Sequence, residues 1–239
     1  MQPVKTLLLS LFLAALLAAC GDDVSANEEG GEQPSPTTMT DERDGQVYRI
    51  VTIGEQVWMA ENLRYVYKDN GVVRGNWCPS ENPFEEEGDC SKYGRFYNFG
   101  VALDFSSIVC DEDLHCDVTV KGANPQGVCP NGWHLPNWGE WRQLFRFVGG
   151  ESVAATALKS SSGWNGNGNG TDAYGFSALP AGRQYGSQPF VRDNAYFWIY
   201  MDDLKDDAPC VTFLSGAEAL KWTLDRYTGL SVRCVKDED

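Results

Sequence analysis

The residues of this chain that could do chemistry are its eight cysteines, its two histidines and one run of alternating asparagine and glycine. Cys78 and Cys90 are near neighbours in one polar loop, and Cys110 and Cys116 in another, so each pair is spaced to close a small disulfide ring. A zinc site from Cys110, His115, Cys116 and His134 would gather thiolates and imidazoles around one ion, but no Cys-x-x-Cys pair supports it. His134 falls in a predicted core strand, where a satisfied structural histidine is preferred over a general base. Spacing nominates no Ser-His-Asp set and no carboxylate pair, so the chain is not expected to be an enzyme.

Asn165-Gly166-Asn167-Gly168-Asn169-Gly170 places an oxygen ligand at every second residue, with glycine sixth as in a calcium loop. The first ligand is Asn rather than Asp, and the twelfth position is Phe176 where a bidentate Glu is needed. The charge for tight binding is missing, so no cofactor is expected, and the 165–172 loop is only a weak calcium candidate. The wider segment from Gly163 to Asn194 has the mixture that sugars require, flat aromatics beside amides and charges. Its candidate ligand-binding residues are Trp164, Asn165, Asn167, Asp172, Tyr174, Arg183, Gln184, Tyr185 and Asn194. The competing reading has Trp164 and Tyr174 packing the base of the loop.

Several elements must position these groups. Val47 to Ile53 and Val57 to Met59 flank Gly54-Glu55-Gln56 and predict a β-hairpin. Gly94 to Leu103 reads as a short helix with Phe96, Phe99 and Leu103 on one side. Asn137 with Glu140 three residues on is a capping-box arrangement. Trp138, Trp141, Leu144, Phe145 and Val148 then follow at helical spacing to Gly149-Gly150. A stripe of this kind normally faces the core. Ser152–Lys159 predicts another short helix, and Gly175–Gly182, Ala195–Met201, Cys210–Leu214 and an alternating Leu230–Val235 predict strands.

The chain has 239 residues, room for one domain plus export and linker segments. Its 19 Lys and Arg face 34 Asp and Glu, a net −15, which argues against nucleic acid or an anionic membrane surface as a partner. Residues 1–20 form a targeting segment with Lys5 ahead of an apolar run from Leu7 to Leu17, too short to span a bilayer comfortably. Its end, Leu17-Ala18-Ala19-Cys20, resembles the lipobox of bacterial lipoproteins. That resemblance implies cleavage before Cys20 and acyl chains on it, a membrane anchor that is in effect permanent. Residues 21–43, acidic and then Pro/Thr-rich, read as a flexible tether because they have little to bury. Acidic residues just after Cys20 resemble surface-export signals of Bacteroidetes lipoproteins. The expected location is therefore the outer membrane with the domain on the cell surface, the periplasmic face being the alternative.

Residues 44–239 read as one domain. The stretches Asp44-Gly-Gln-Val-Tyr48, Gln56-Val-Trp-Met-Ala-Glu-Asn-Leu63, Tyr93-Gly-Arg95, Cys129-Pro-Asn-Gly-Trp-His-Leu-Pro136, Gly175-Phe-Ser-Ala-Leu-Pro-Ala-Gly182 and Ser231-Val-Arg-Cys-Val-Lys-Asp237 recur in order. Together they resemble the Fibrobacter succinogenes major paralogous domain, found in surface and secreted proteins of fibre-degrading and related bacteria. That family carries no settled activity to transfer. The Cys129 to Leu135 start, the capped helix, the aromatic strands and the Val232-Arg-Cys-Val235 ending also look like a C-type lectin-like domain. The fold so implied is α+β, with short twisted antiparallel sheets, two to three short helices and long loops.

In lectin-like domains the first and last of these cysteines are bonded, which implies a Cys129–Cys234 disulfide. Export favours disulfides generally, so Cys78–Cys90 and Cys110–Cys116 are expected by proximity, with Cys210 left over as a buried apolar residue. Calcium-dependent lectins hold their metal with Glu-Pro-Asn or Gln-Pro-Asp and with Trp-Asn-Asp. Gln188-Pro-Phe190 and Trp222-Thr-Leu-Asp225 depart from both. The formylglycine-generating branch of the fold is similar around Leu135-Pro and Glu140-Trp141, but its reactive cysteine pair has no match here. The expectation is an anchored binding module for polysaccharide or adhesion; the alternative is a structural or protein-partner module of the envelope.

Overall fold

The computed structural model describes residues 37–79, 90–104, 124–185, 194–201 and 208–238. The leader, Cys20, most of the tether and the Cys110–Cys116 pair lie outside the described residues.

Order begins earlier than the expected start at residue 44. Thr38–Thr40 forms β1, antiparallel to β2 (Val47–Ile53), with Met39 opposite Tyr48. A buried carboxylate explains the early start. Asp41 is fully buried, accepts two bonds from the Arg43 guanidinium at 2.9 and 2.7 Å, and caps the Arg43 backbone N–H. Arg43 in turn donates to the Val128 carbonyl and lies 3.9 Å over the Tyr65 ring. The charge-assisted bidentate pair fixes the guanidinium, and its contacts with Val128 and Tyr65 hold the last tether residues onto the domain.

β2 returns through Gly54, in the left-handed region at φ 64°, to β3 (Gln56–Met59), giving the hairpin the sequence predicts. A second hairpin, β4 (Lys68–Asp69) and β5 (Val72–Val73), turns on Asn70-Gly71, both with positive φ, the chemistry a tight two-residue loop demands.

The helix expected over Gly94–Leu103 is only half present. Phe96–Tyr97 is strand β7, paired with β6 (Asn76–Trp77), and the helix α2 (Phe99–Ala102) starts after it. Asn98 sets the boundary, because it is extended and its side chain accepts the Val101 N–H as an N-cap. One turn, α1 (Cys90–Tyr93), precedes β7 and places Cys90 for its bond to Cys78.

β8 (Trp133–His134) leads into α3 (Trp138–Phe147), where both halves of the Asn137–Glu140 capping box form. Gly149 and Gly150, at φ 108° and 104°, end it, and α4 (Glu151–Leu158) follows. Gly175–Gly182, expected as a strand, makes only single bridges, Ala178 to Lys159 and Gly182 to Ala195. Positive φ at Gly175 and Ser177 and the ring of Pro180 break its pleat. β9 (Ala195–Trp198), β10 (Ala208–Phe213) and β11 (Ala219–Leu224) form a three-stranded antiparallel sheet with β10 central. The last strand, β12 (Val235–Lys236), inserts between β3 and β8 in the five-stranded order β1-β2-β3-β12-β8. Leu230–Val235 is not alternating, since every residue of it is buried. The result is an α+β fold of short antiparallel sheets and short helices. Among the described residues no helix is long and apolar enough to cross a membrane.

The three-stranded sheet is covered on both faces. Phe197, Val211 and Phe213 pack with Trp58, Trp141, Leu144, Phe145 and Phe176 on one side. Tyr196, Trp198 and Cys210 pack with Tyr97, Phe99 and Leu230 on the other. Between the elements sits Arg233, 1 % exposed, with its guanidinium 4.5 Å from the Phe176 ring and 5.3 Å from that of Phe197. It donates to Asn62 Oδ1 through Nε and Nη2 and to the Phe176 carbonyl through Nη1. Burial lowers its pKa to about 9, still far above neutrality, so the guanidinium stays charged.

Cys129 is bonded to Cys234 across a separation of 105 residues, and Cys78 to Cys90 across 12. Loop closure makes the first worth about 4.7 kcal/mol and the second about 3 kcal/mol. Urea denaturation of the paired serine variants is therefore expected to show the larger loss for Cys129→Ser/Cys234→Ser.

Candidate functional site

The sequence candidates do not converge on one surface. Trp164 is 6 % exposed, and its indole N–H reaches both Ser160 Oγ and the Ala178 carbonyl at 3.1 Å. The buried Lys159 ammonium lies 4.7 Å over its ring and donates to the carbonyls of Leu214, Ser215 and Gly216. Trp164 is therefore a packing residue, and a ligand cannot stack on it. Gln184 is also buried, and accepts the Trp77 indole N–H at 2.9 Å. Tyr174 is half-buried and meets Phe147 edge-on at 5.9 Å.

The asparagine–glycine loop spends much of its polarity on itself. Asn169 Oδ1 accepts the Trp164 N–H, and the Asp172 carboxylate accepts the Ser177 N–H at 2.7 Å and its hydroxyl at 2.6 Å. Gly170 is closed in by the Lys159 and Thr156 carbonyls, where a Cβ would stand 2.4 Å from one and 2.7 Å from the other. Asn165 and Asn167 are exposed at its tip. Among the described residues no group of three His, Cys, Asp or Glu side chains could hold a metal ion.

Three candidates do come together. Gly182, Arg183 and Gln184 run as extended bridge residues, Gly182 alongside Ala195 and Gln184 opposite Gly229. With Gln184 turned inward, Arg183 and Tyr185 are exposed, as the alternation of extended chain dictates. The Arg183 guanidinium lies 5.5 Å over the Tyr196 ring, and Asn194 donates to the Tyr196 hydroxyl at 3.1 Å.

Tyr196 marks which sheet face this is. Cross-strand partners share a face, so Tyr196, Thr212 and Leu220 form one row and Trp198, Cys210 and Trp222 the next. Trp198 and Cys210 are buried, but Trp222, on the edge strand β11, is 56 % exposed. Burial pushes the Cys210 thiol up to about 12, and the charge of Arg183 opposes that rise. Tyr227, 41 % exposed, follows in a turn whose N–H is capped by Asp225.

Trp222 and Tyr227 are not among the sequence candidates: Trp222-Thr-Leu-Asp225 figures there only as a departure from a metal motif, and no strand is expected over β11. The available signal was Ala219-Leu-Lys-Trp-Thr-Leu224, six residues of strand-compatible type after a Ser215-Gly216 turn.

His134 is no free base. Its Nδ1 lies 2.6 Å from Asp237 and its Nε2 2.7 Å from Glu140.

The two tryptophans should behave oppositely. Trp164→Ala should cost about 3–5 kcal/mol in chemical denaturation, as large-to-small core changes do. Trp222→Ala should stay within about 0.5 kcal/mol of the parent.

A family model, the Fibrobacter succinogenes major domain, matches residues 51–236. No curated protein and no solved structure matches the chain.

Proposed function

The chain belongs to the Fibrobacter succinogenes major domain family, and from that premise we propose that it is a lipid-anchored, lectin-like binding module that meets polysaccharide at the β11 margin. One observation carries this reading: a tryptophan more than half exposed on a strand whose partners in the same row are buried. An exposed indole there is not needed for the core, and its flat apolar face suits the apolar face of a sugar ring. Arg183, over Tyr196 on the same sheet face, supplies donors for hydroxyl edges, and the Asn194 amide beside it retains an acceptor. Tyr185 and Tyr227 add exposed aromatic area on the neighbouring paired segments.

Anchoring is read from Leu17-Ala-Ala-Cys20, and the two disulfides suit an exported protein. The acidic balance, net −15, leaves a neutral polymer as a better partner than a polyanion. A second reading, an envelope protein that adds a strand, rests on the edge position of β11 among the described strands.

The test uses the full-length chain in detergent, pulled down on cellulose and xylan. The parent should be retained, and Trp222→Ala should lose about tenfold in affinity, the size of one stacked aromatic contact. Absence of retention on either polymer, with capture by isolated envelope proteins instead, would favour the strand-addition reading. For the anchor, Cys20→Ser should move the protein from the membrane to the soluble fraction. Protease shaving of intact cells should then remove the parent domain, whereas full protection would put it on the periplasmic face.

A further inference from the structure

His134 lies in β8 with its ring 5 % exposed, and a carboxylate oxygen faces each of its nitrogens, Asp237 at Nδ1 and Glu140 at Nε2. A neutral imidazole has one N–H and one lone pair, so it can donate to only one of them. Only the imidazolium donates to both; in the neutral ring a lone pair would point at a carboxylate.

The two carboxylates are not equally free to leave. Glu140 belongs to α3, and its other oxygen accepts the Asn137 backbone N–H at 2.8 Å in the capping box. Asp237 stands just beyond β12 with its side chain 52 % exposed, held otherwise by its backbone N–H on the Gly132 carbonyl. The same segment walls a cavity of about 270 Å³, lined by Glu55, Gln56 and Val57, Glu140, and residues 235–238.

We propose that His134 is a protonation-operated latch: its imidazolium ties the C-terminal segment to the start of α3, and loss of a ring proton to water releases Asp237 and opens the cavity that residues 236–238 wall.

Glu140 on α3 and Asp237 after β12 act on the ring and favour the cation, while Glu55 in the β2–β3 turn, Lys236 and Glu238 complete the charged lining. Burial disfavours the imidazolium, but the bonds to Glu140 and Asp237 outweigh burial and hold the pKa above its ordinary 6.5. The sign follows from linkage. The latch is fully closed below the unfolded histidine value and is lost as the pH rises through the higher folded one.

The test is made on the full-length chain, with NMR of labelled histidine and hydrogen exchange of the C-terminal peptide. His134 should titrate above 6.5. Exchange of residues 235–238, corrected for its intrinsic pH dependence, should rise about tenfold through that midpoint, as expected for one lost charge-assisted hydrogen bond. Asp237→Asn, a half-exposed change that leaves the core alone, should lower the His134 midpoint and give fast exchange at every pH. Glu238→Gln, on the same segment but outside the ring's two bonds, should leave the profile in place. The proposal is overturned by a His134 midpoint at or below 6.5, by exchange that ignores it, or by an equal effect of Glu238→Gln.

Discussion

The buried Arg233 guanidinium, held without a carboxylate, organises the domain. Arg233 sits between two aromatic faces and gives its donors to one side-chain amide and one backbone carbonyl. Asn62 answers it with its oxygen and spends its N–H groups on the Tyr93 carbonyl and Ser231 Oγ. A buried charge is tolerated where hydrogen bonds compensate it, and Arg233, directly and through Asn62, ties four chain segments together. Those segments are also the ones that carry the family resemblance: Asn62 from the Trp58-Met-Ala-Glu-Asn stretch, Tyr93 from Tyr-Gly-Arg, Phe176 from Gly-Phe-Ser, and Ser231 with Arg233 from the ending. The signature of the family in this chain is thus a polar hub inside an aromatic core. It ties the chain together inside, while the β11 margin lies outside it.

This division explains what could be read from the sequence. The hairpin around Gly54, the capping box of α3 and the inward face of its tryptophans each follow from local rules, and each is present. The Cys129–Cys234 pair is implied by the resemblance to lectin-like domains and by no local rule, and the bond is present. What local rules missed was decided across the chain. Phe96 and Tyr97 have helix-compatible neighbours but are recruited by Asn76 and Trp77. Gly175–Gly182 has strand-like composition, yet it is bent to bring the Phe176 carbonyl to Arg233.

The site was the least legible part for the same reason. Trp164 sits in Ser-Gly-Trp-Asn-Gly and Trp222 in Leu-Lys-Trp-Thr-Leu, and neither setting says which indole is exposed. The Lys159 ammonium and the Ala178 carbonyl draw Trp164 inward. Trp222 stays outside because its strand has a neighbour on one side only among the described strands. Arg183, Tyr185 and Asn194 were within reach of sequence reasoning because extended chain exposes alternate residues. That Arg183 lies on the sheet face that also carries Trp222 depends on the register of a sheet whose third strand went unassigned.

The order of strands also sets how the domain carries load. A pull on the chain ahead of Thr37 arrives first at β1, an edge strand of three residues held by β2 alone. That strand can yield while the next fastening, the Asp41–Arg43 clip onto the Val128 carbonyl, is still closed. Beyond the clip the chain enters β2, which is paired on both sides and carries the fully buried Tyr48. Resistance therefore rises step by step, from a peelable edge, through an ionic clip, to a strand locked into the sheet.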